Sequence, residues 1–231
     1  MSPRPPQQLI FDADDTLWEN NIYFEAAFEQ FVEFLDHSKL SAEEIRNVLD
    51  EIELANREIY GYGSLNFGRN LLQCYQHLCE RDISDEDLDT VMSFAERILD
   101  QPIKLIDGVE ETLRRLSQRH ELLLFTKGHP DEQKLKIDRS GLGCYFSHFA
   151  IVKEKDCDSY RNLVRARSLD PERCWMIGNS PRSDINPALE LGLGAVYIPH
   201  PRTWSLEEEE IRNGNGRLLI LNSFAELRHY F

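Results

Sequence analysis

The sequence predicts an α/β fold, a doubly wound and mostly parallel Rossmann-like sheet with an all-α domain inserted after the first strand. Three observations carry that expectation. Six short apolar runs recur with turn or polar residues after them, at Leu9 to Phe11, Leu122 to Phe125, Phe149 to Val152, Trp175 to Ile177, Ala195 to Ile198 and Leu218 to Leu221. They are too short for helices and lack strict alternation, as expected of strands covered on both faces. Amphipathic stretches lie between the later runs, giving the βα alternation of a parallel sheet. From about Trp18 to Lys104 no strand-like run occurs at all.

In chain order, Met1 to Gln8 is Pro-rich and lacks the apolar core of a secretory signal, so it reads as a frayed tail. Leu9-Ile10-Phe11 is the first strand. In the inserted segment, Ser41-Ala42-Glu43-Glu44 matches a capping box, and Ser84-Asp85-Glu86-Asp87 places carboxylates in another first helical turn. Phe24, Phe28, Phe31 and Phe34 recur at spacings of four and three, which makes one apolar helix face and core packing. Tyr60-Gly61-Tyr62-Gly63-Ser64 marks a turn within the insertion. Helices are expected at Gly108 to Arg119, Asp131 to Ser140, Ser159 to Ser168 and Pro187 to Leu191, with Asn186-Pro187 as N-cap and first helical residue. The expected division is an α/β core of residues 1–17 and 105–231 with a helical lobe of residues 18–104.

Composition narrows the function. The 231 residues carry a formal net charge of −15, so the long-range field repels nucleic acid and anionic lipid, and an anionic substrate needs local cations. No stretch approaches a membrane span. Cys74, Cys79, Cys144, Cys157 and Cys174 are scattered with no Cys-x-x-Cys pair, as in a reduced, cytoplasmic protein. The oligomeric state is not legible.

Chemistry concentrates at strand ends, where open α/β sheets bind ligands. The first strand runs into Asp12-Ala13-Asp14-Asp15-Thr16. Residues two apart in extended chain point the same way, roughly 7 Å apart, so Asp12 and Asp14 can address one bound group. Read alone, the segment is equally a polar turn and helix cap. Leu122 to Phe125 ends in Thr126-Lys127-Gly128, a hydroxyl and free amides able to donate to phosphate oxygens, or a helix cap. Lys155, with Lys153 as its rival, precedes a helix in Lys153-Glu154-Lys155-Asp156. Trp175-Met176-Ile177 leads into Gly178-Asn179-Ser180-Pro181-Arg182-Ser183-Asp184.

These four segments, in this order, resemble the four motifs of the haloacid dehalogenase-like hydrolases, and the resemblance spans nearly the whole chain. It implies a helical cap between the first and second motifs, and Asp12 as nucleophile with Asp14 as general acid and base. Thr126, Lys127 and Gly128 would hold the phosphoryl group, and Lys155 would offset its charge. Mg2+ would be held through Asp12, Asp14, Asn179 and Asp184. The family usually carries Asp where Asn179 stands; an amide carbonyl is still a hard oxygen ligand, at the loss of one negative charge.

The expected activity is therefore hydrolysis of a small phosphorylated metabolite through an aspartyl-phosphate. The same fold also hydrolyses carbon–halogen bonds, but the family's dehalogenases carry a tyrosine-like residue where Asp14 stands, and a halide needs no acid. A catalytically weak protein that binds a phosphorylated ligand is the reading from a different class. Phosphomutase chemistry would need a lobe that excludes water. Tyr60, Tyr62 and Arg69 are candidates for substrate contact from the lobe, though a plain surface turn accounts for the same residues. His129 and His200 are weaker candidates for the site's border.

Overall fold

The computed structural model describes residues 5–212 and 216–231. The chain divides into two compact units, Met1–Glu19 with Ile103–Phe231, and Asn20–Pro102.

The first unit is built on six parallel strands: β1 (Gln8–Phe11), β2 (Glu121–Lys127), β3 (His148–Val152), β4 (Cys174–Gly178), β5 (Gly194–Tyr197) and β6 (Leu218–Ile220). Their order is β3-β2-β1-β4-β5-β6, so the first strand is central and the fold reverses direction on either side of it. All six apolar runs are strands, and the doubly wound α/β class holds. The central runs are apolar throughout because their alternate residues enter different cores, whereas the edge runs leave Phe149 and Ile220 exposed. Leu9 and Phe11 join Leu122, Leu124, Val109 and Phe224 on one face. Ile10 joins Leu123, Phe125, Tyr160 and Met176 on the other.

Helices α5 (Val109–Leu116), α6 (Pro130–Ser140), α7 (Cys157–Arg167), α8 (Asn186–Glu190) and α9 (Leu227–Tyr230) cover the sheet, after the four helices of the second unit. Among the boundaries that differ from expectation, three have a local cause. Gln8 already pairs with Glu121 and Cys174, so the tail is shorter than Met1 to Gln8; residues 1–4 lie outside the described residues. Helix α7 begins at Cys157, because Asp156 makes a capping box with Ser159. Asn186 is the first residue of α8 and not its cap: a π-helical turn, Pro181–Ile185, runs straight into the helix. The Asn186 amide instead ties down the 209–212 segment, bonding the Glu210 carbonyl at 2.9 Å and accepting from Arg212 N–H at 2.9 Å.

The second unit is all-helical, with α1 (Asn21–Leu35), α2 (Ala42–Tyr60), α3 (Ser64–Leu78) and α4 (Asp85–Glu96). Phe28 and Phe31 are buried, and Phe24 and Phe34 pack beside them, with Phe24 on Phe67 (ring centroids 5.2 Å) and Phe34 on Tyr75 (5.6 Å). Both N-terminal signals are full capping boxes, Ser41 with Glu44 and Ser84 with Asp87. Gly61 (φ 73°) and Gly63 (φ 117°) make the turn between α2 and α3, a left-handed path that L side chains resist. Asn66 closes it by donating to the Tyr60 and Tyr62 carbonyls, and Arg69 is bound to Asn66 at 2.9 Å. Among the described residues, no helix is long and apolar enough to cross a membrane.

Candidate active site

The sheet brings three of the four motifs to one edge. β2, β1 and β4 are neighbours and all parallel, so Asp12, Thr126 and Asn179 each sit at or just beyond a carboxyl end. Asp12 extends β1 by one further bond, its N–H donating to the Ile177 carbonyl at 2.9 Å. The chain then turns back: Asp15 adopts a left-handed φ of 57°, which a short carboxylate tolerates, and Leu17 N–H bonds the Ala13 carbonyl at 2.8 Å. This turn returns Thr16 to the strand end. Its hydroxyl lies 2.9 Å from Asp12 Oδ2 and 3.1 Å from Asn179 Oδ1. With one proton for two acceptors, it marks the point on which those two oxygens converge.

Lys155 lies on the other side of Asp12. Only 3% exposed, it bonds Asp12 Oδ1 and, at 2.7 Å, Asp184 Oδ1. Burial pulls its ammonium down, but the charges of Asp12 and Asp184 outweigh that and hold its pKa above the usual lysine range. Lys153 is exposed, which separates the two rivals. Asp184 is pushed up by burial and by Asp12, against the pull of Lys155, because two carboxylates share one ammonium. Its second oxygen accepts from Ser180 N–H at 3.0 Å. Gly178 makes room for it: a Cβ there would stand 2.2 Å from Asp184 Oδ2. Tyr160, buried on α7, donates to the Ser183 and Asp184 carbonyls at 3.0 and 3.2 Å and so fixes the π-helical turn, a device common at functional sites.

Asp14 is separate from this cluster. Its Oδ1 accepts from Trp18 Nε1 at 2.8 Å, its Oδ2 from Gln133 Nε2 at 2.8 Å, and both accept from Lys136 Nζ at 2.7 and 2.6 Å. Burial raises its carboxyl, but Lys136 and the hydrogen bonds win and hold it below the ordinary range.

The residues expected to hold the phosphoryl group run through the end of β2 and just past it. Thr126 is buried in β2. Lys127 pairs with Ser183 Oγ (2.9 Å) and the buried Glu207. Glu207 also accepts from Ser180 (2.6 Å) and Ser183. Its pKa is raised by burial and lowered more strongly by Lys127 and these hydroxyls. Gly128 (φ 144°) leaves space for the Gln133 amide, which a Cβ would meet at 2.7 Å. His129 is the exposed residue before α6. His200 stands 3.3 Å from Glu19 Oε2 and 3.9 Å from Asp15 Oδ1, a second group whose ligand atoms lie within 4.8 Å of one another.

Sequence reasoning left out Thr16, Gln133, Lys136, Tyr160 and Glu207. Thr16 was legible inside the first motif, and Gln133 and Lys136 share a helix face at a spacing of three. Glu207 sits in an acidic run, Glu207 to Glu210, with nothing to single it out.

Known proteins share this fold. A solved haloacid dehalogenase-like family hydrolase from Xanthomonas campestris superposes with a TM-score of 0.85 at 28% identity, over 100% of this chain and 92% of that one. A glyceraldehyde 3-phosphate phosphatase of Pyrococcus furiosus is 27% identical over 46% of this chain, so the match spans about half the relative's length (47%). One of Methanocaldococcus jannaschii is 23% identical over 95% of this chain and 94% of its own. The haloacid dehalogenase-like hydrolase family model matches residues 7–192, which takes in the Asp12 turn, the buried Lys155 and the Asp184 loop, and the chain belongs to that family.

Proposed function

We propose that this protein is a magnesium-dependent phosphomonoester hydrolase acting on a small phosphorylated metabolite, with Asp12 as nucleophile. The observation that carries the reading is Lys155, buried between Asp12 and Asp184, a fixed cation beside the carboxylate that must meet an anionic phosphate. The phosphatase names of the relatives from Pyrococcus furiosus and Methanocaldococcus jannaschii support the same class.

Magnesium fits the residues present. Asp12 Oδ2 and Asn179 Oδ1 are hard oxygens converging on Thr16, and the main-chain carbonyl of Asp14 would complete the set. Asp184, with both oxygens already engaged, would serve by holding Lys155 and the loop. Bound there, the metal would supply positive charge that offsets the phosphate's.

The residues then do the following. An Asp12 oxygen attacks phosphorus and forms the aspartyl-phosphate as the bond to the leaving oxygen breaks, with its electron pair going to that oxygen. Asp14, once released from Lys136 and protonated, would give that oxygen a proton, then take one from the water that attacks the aspartyl-phosphate and returns Asp12. Thr126 and the amides after it would hold the phosphoryl oxygens.

The helical unit, inserted between β1 and β2, is proposed to act as a substrate-selecting cap. Tyr62→Ala should then change the ranking of substrates more than it changes the melting temperature.

Asp12→Asn tests the central assignment. Hydrolysis of p-nitrophenyl phosphate in magnesium should fall by about 10⁴-fold or more with the circular dichroism spectrum unchanged. A folded variant working at the wild-type rate would sink the assignment. Release of halide from haloacids without phosphatase activity would move the protein to the dehalogenases.

A further inference from the structure

The Asn179 side chain is an amide, and an amide has two unlike ends. Its oxygen accepts a proton or a cation, while its nitrogen only donates. Which end faces Asp12 decides whether residue 179 adds an oxygen to the cluster or an N–H that repels a cation.

The surroundings choose the oxygen. Asn179 is 6% exposed, so both ends of the amide need partners within the protein. Its Nδ2 donates to Thr203 Oγ1 at 3.2 Å, and its Oδ1 lies 3.1 Å from the Thr16 hydroxyl. Thr203 is an acceptor toward residue 179 because its own hydroxyl proton goes to the His200 carbonyl at 3.0 Å. The same carbonyl takes the Thr203 N–H at 3.1 Å, closing a turn from His200 to Thr203.

Thr16 alone would choose otherwise. Its hydroxyl can accept from an amide N–H and give its single proton wholly to Asp12 Oδ2, 2.9 Å away. Without Thr203 the amide would gain by turning over, since no proton would then be divided between two acceptors. The fold supplies the deciding residue. β4 and β5 are neighbours, and their pairing runs one step further as Ile198 N–H bonds the Gly178 carbonyl at 3.0 Å. The chain segments that leave the two strands therefore start side by side, and Thr203 meets a residue 24 positions earlier in the chain.

We infer that Thr203 is a positioning residue, which by accepting from the Asn179 amide nitrogen turns the amide oxygen toward Asp12 and Thr16, where it can serve a magnesium ion. The inference rests on the donor set proposed above. A carboxylate has two equivalent oxygens and needs no such choice. The effect of Thr203 should therefore depend on residue 179 being an amide.

Titration calorimetry of the metal-free protein with magnesium tests this in the wild type, Thr203→Val, Asn179→Asp and the double variant. Thr203→Val removes the acceptor at nearly constant shape, and Kd should rise by about tenfold or more, as when a group that orients a metal ligand is lost. Thr203→Ser keeps the hydroxyl and should stay within about threefold of the wild type. Added to Asn179→Asp, Thr203→Val should change Kd by less than about threefold. An unchanged Kd in Thr203→Val, or equal weakening in both backgrounds, would overturn the inference.

Metal-free crystal structures of the wild type and Thr203→Val, at a resolution that tells oxygen from nitrogen, read the orientation itself. The amide oxygen should face Thr16 in the wild type and the nitrogen should face it in the variant; oxygen toward Thr16 in both would also overturn the inference. Thr203→Ala takes the place of Thr203→Val in each comparison if the latter does not fold. A wild-type protein that binds no magnesium, or hydrolyses no phosphomonoester in its presence, would instead remove the reading proposed above, and the two structures would still decide how the amide is held.

Discussion

Around Asp12 in the α/β unit, each buried charge has a partner placed against it, whereas around Glu53 in the helical unit the charges are crowded and incompletely matched. Lys155 serves both Asp12 and Asp184, and Lys136 serves Asp14. In the helical unit, Arg46 pairs with Glu25 at 3.1 Å and lies over the Phe28 ring at 3.6 Å. Glu53 Oε2 and Arg57 Nη1, on the same face of α2, are buried without hydrogen-bond partners. Burial, helped by Asp50 and Glu25 and opposed by Arg46, pushes the Glu53 carboxyl up to about 8. The difference separates charge that is fixed for chemistry from charge that is merely carried, at a cost in stability. Strand ends and a π-helical turn can be pinned from several directions, while one helix face offers its charges only to each other and to the next helix.

The largest effect that could break this comparison is at Lys155. Lys155→Met leaves Asp12 and Asp184 facing each other without a cation, and should lower unfolding free energy by about 3–5 kcal/mol along with loss of activity. Chemical denaturation measures it, and a change under about 1 kcal/mol would mean the cluster is not matched as described.

Glu53→Gln should do the opposite in the second cluster. Between 4.5, the ordinary carboxyl value, and about 8, the folded chain binds a proton that the unfolded chain does not, so stability declines as pH rises through that window. The amide removes the penalty. It should stabilise by about 1–3 kcal/mol above pH 8, after allowance for partial exposure, and the gain should vanish as pH falls to about 4.5. A gain independent of pH would show that the site is under packing strain and not electrostatic strain.

Asn179→Asp sharpens the first cluster by adding a carboxylate to Asp12 and Asp184. The metal-free melting temperature should drop, and the magnesium concentration for half-maximal activity should fall by about tenfold, in line with the 1 to 3 kcal/mol of a charged contact. Magnesium titration of the two proteins decides it; unchanged metal dependence would remove Asn179 from the donor set. The smallest effect belongs to Ser41→Ala, which undoes one capping box at a cost of about 1 kcal/mol.

The strands and the helical insertion were legible because each has a local cause. Apolar runs without alternation announce strands buried in a parallel sheet, and Ser41 and Ser84, each with a carboxylate three residues on, announce the helices that follow them directly. Asp12, Asn179 and Lys155 were legible through motif order. Lys155 was separated from Lys153 only by burial, which depends on how α7 meets the sheet. Glu207, Gln133 and Lys136 could not be assigned partners from sequence, because each meets a residue more than twenty positions away across a packed interface. Lys127, beside Thr126 in sequence, likewise pairs with a glutamate eighty positions away, which its local sequence does not announce.

The central position of β1 sets the order in which the molecule can be completed. Its residues leave the ribosome before their hydrogen-bonding partners, which come from 121–124 and 174–177. The intervening helical unit, residues 20–102, has partners within its own span and can assemble while the first strand still waits. During that interval Leu9 to Phe11 is an apolar segment with both edges open, a natural client for a chaperone. Asp12 gains Lys155 and then Asp184 only after those later segments have been made, so a chain interrupted before them holds a carboxylate but no assembled site.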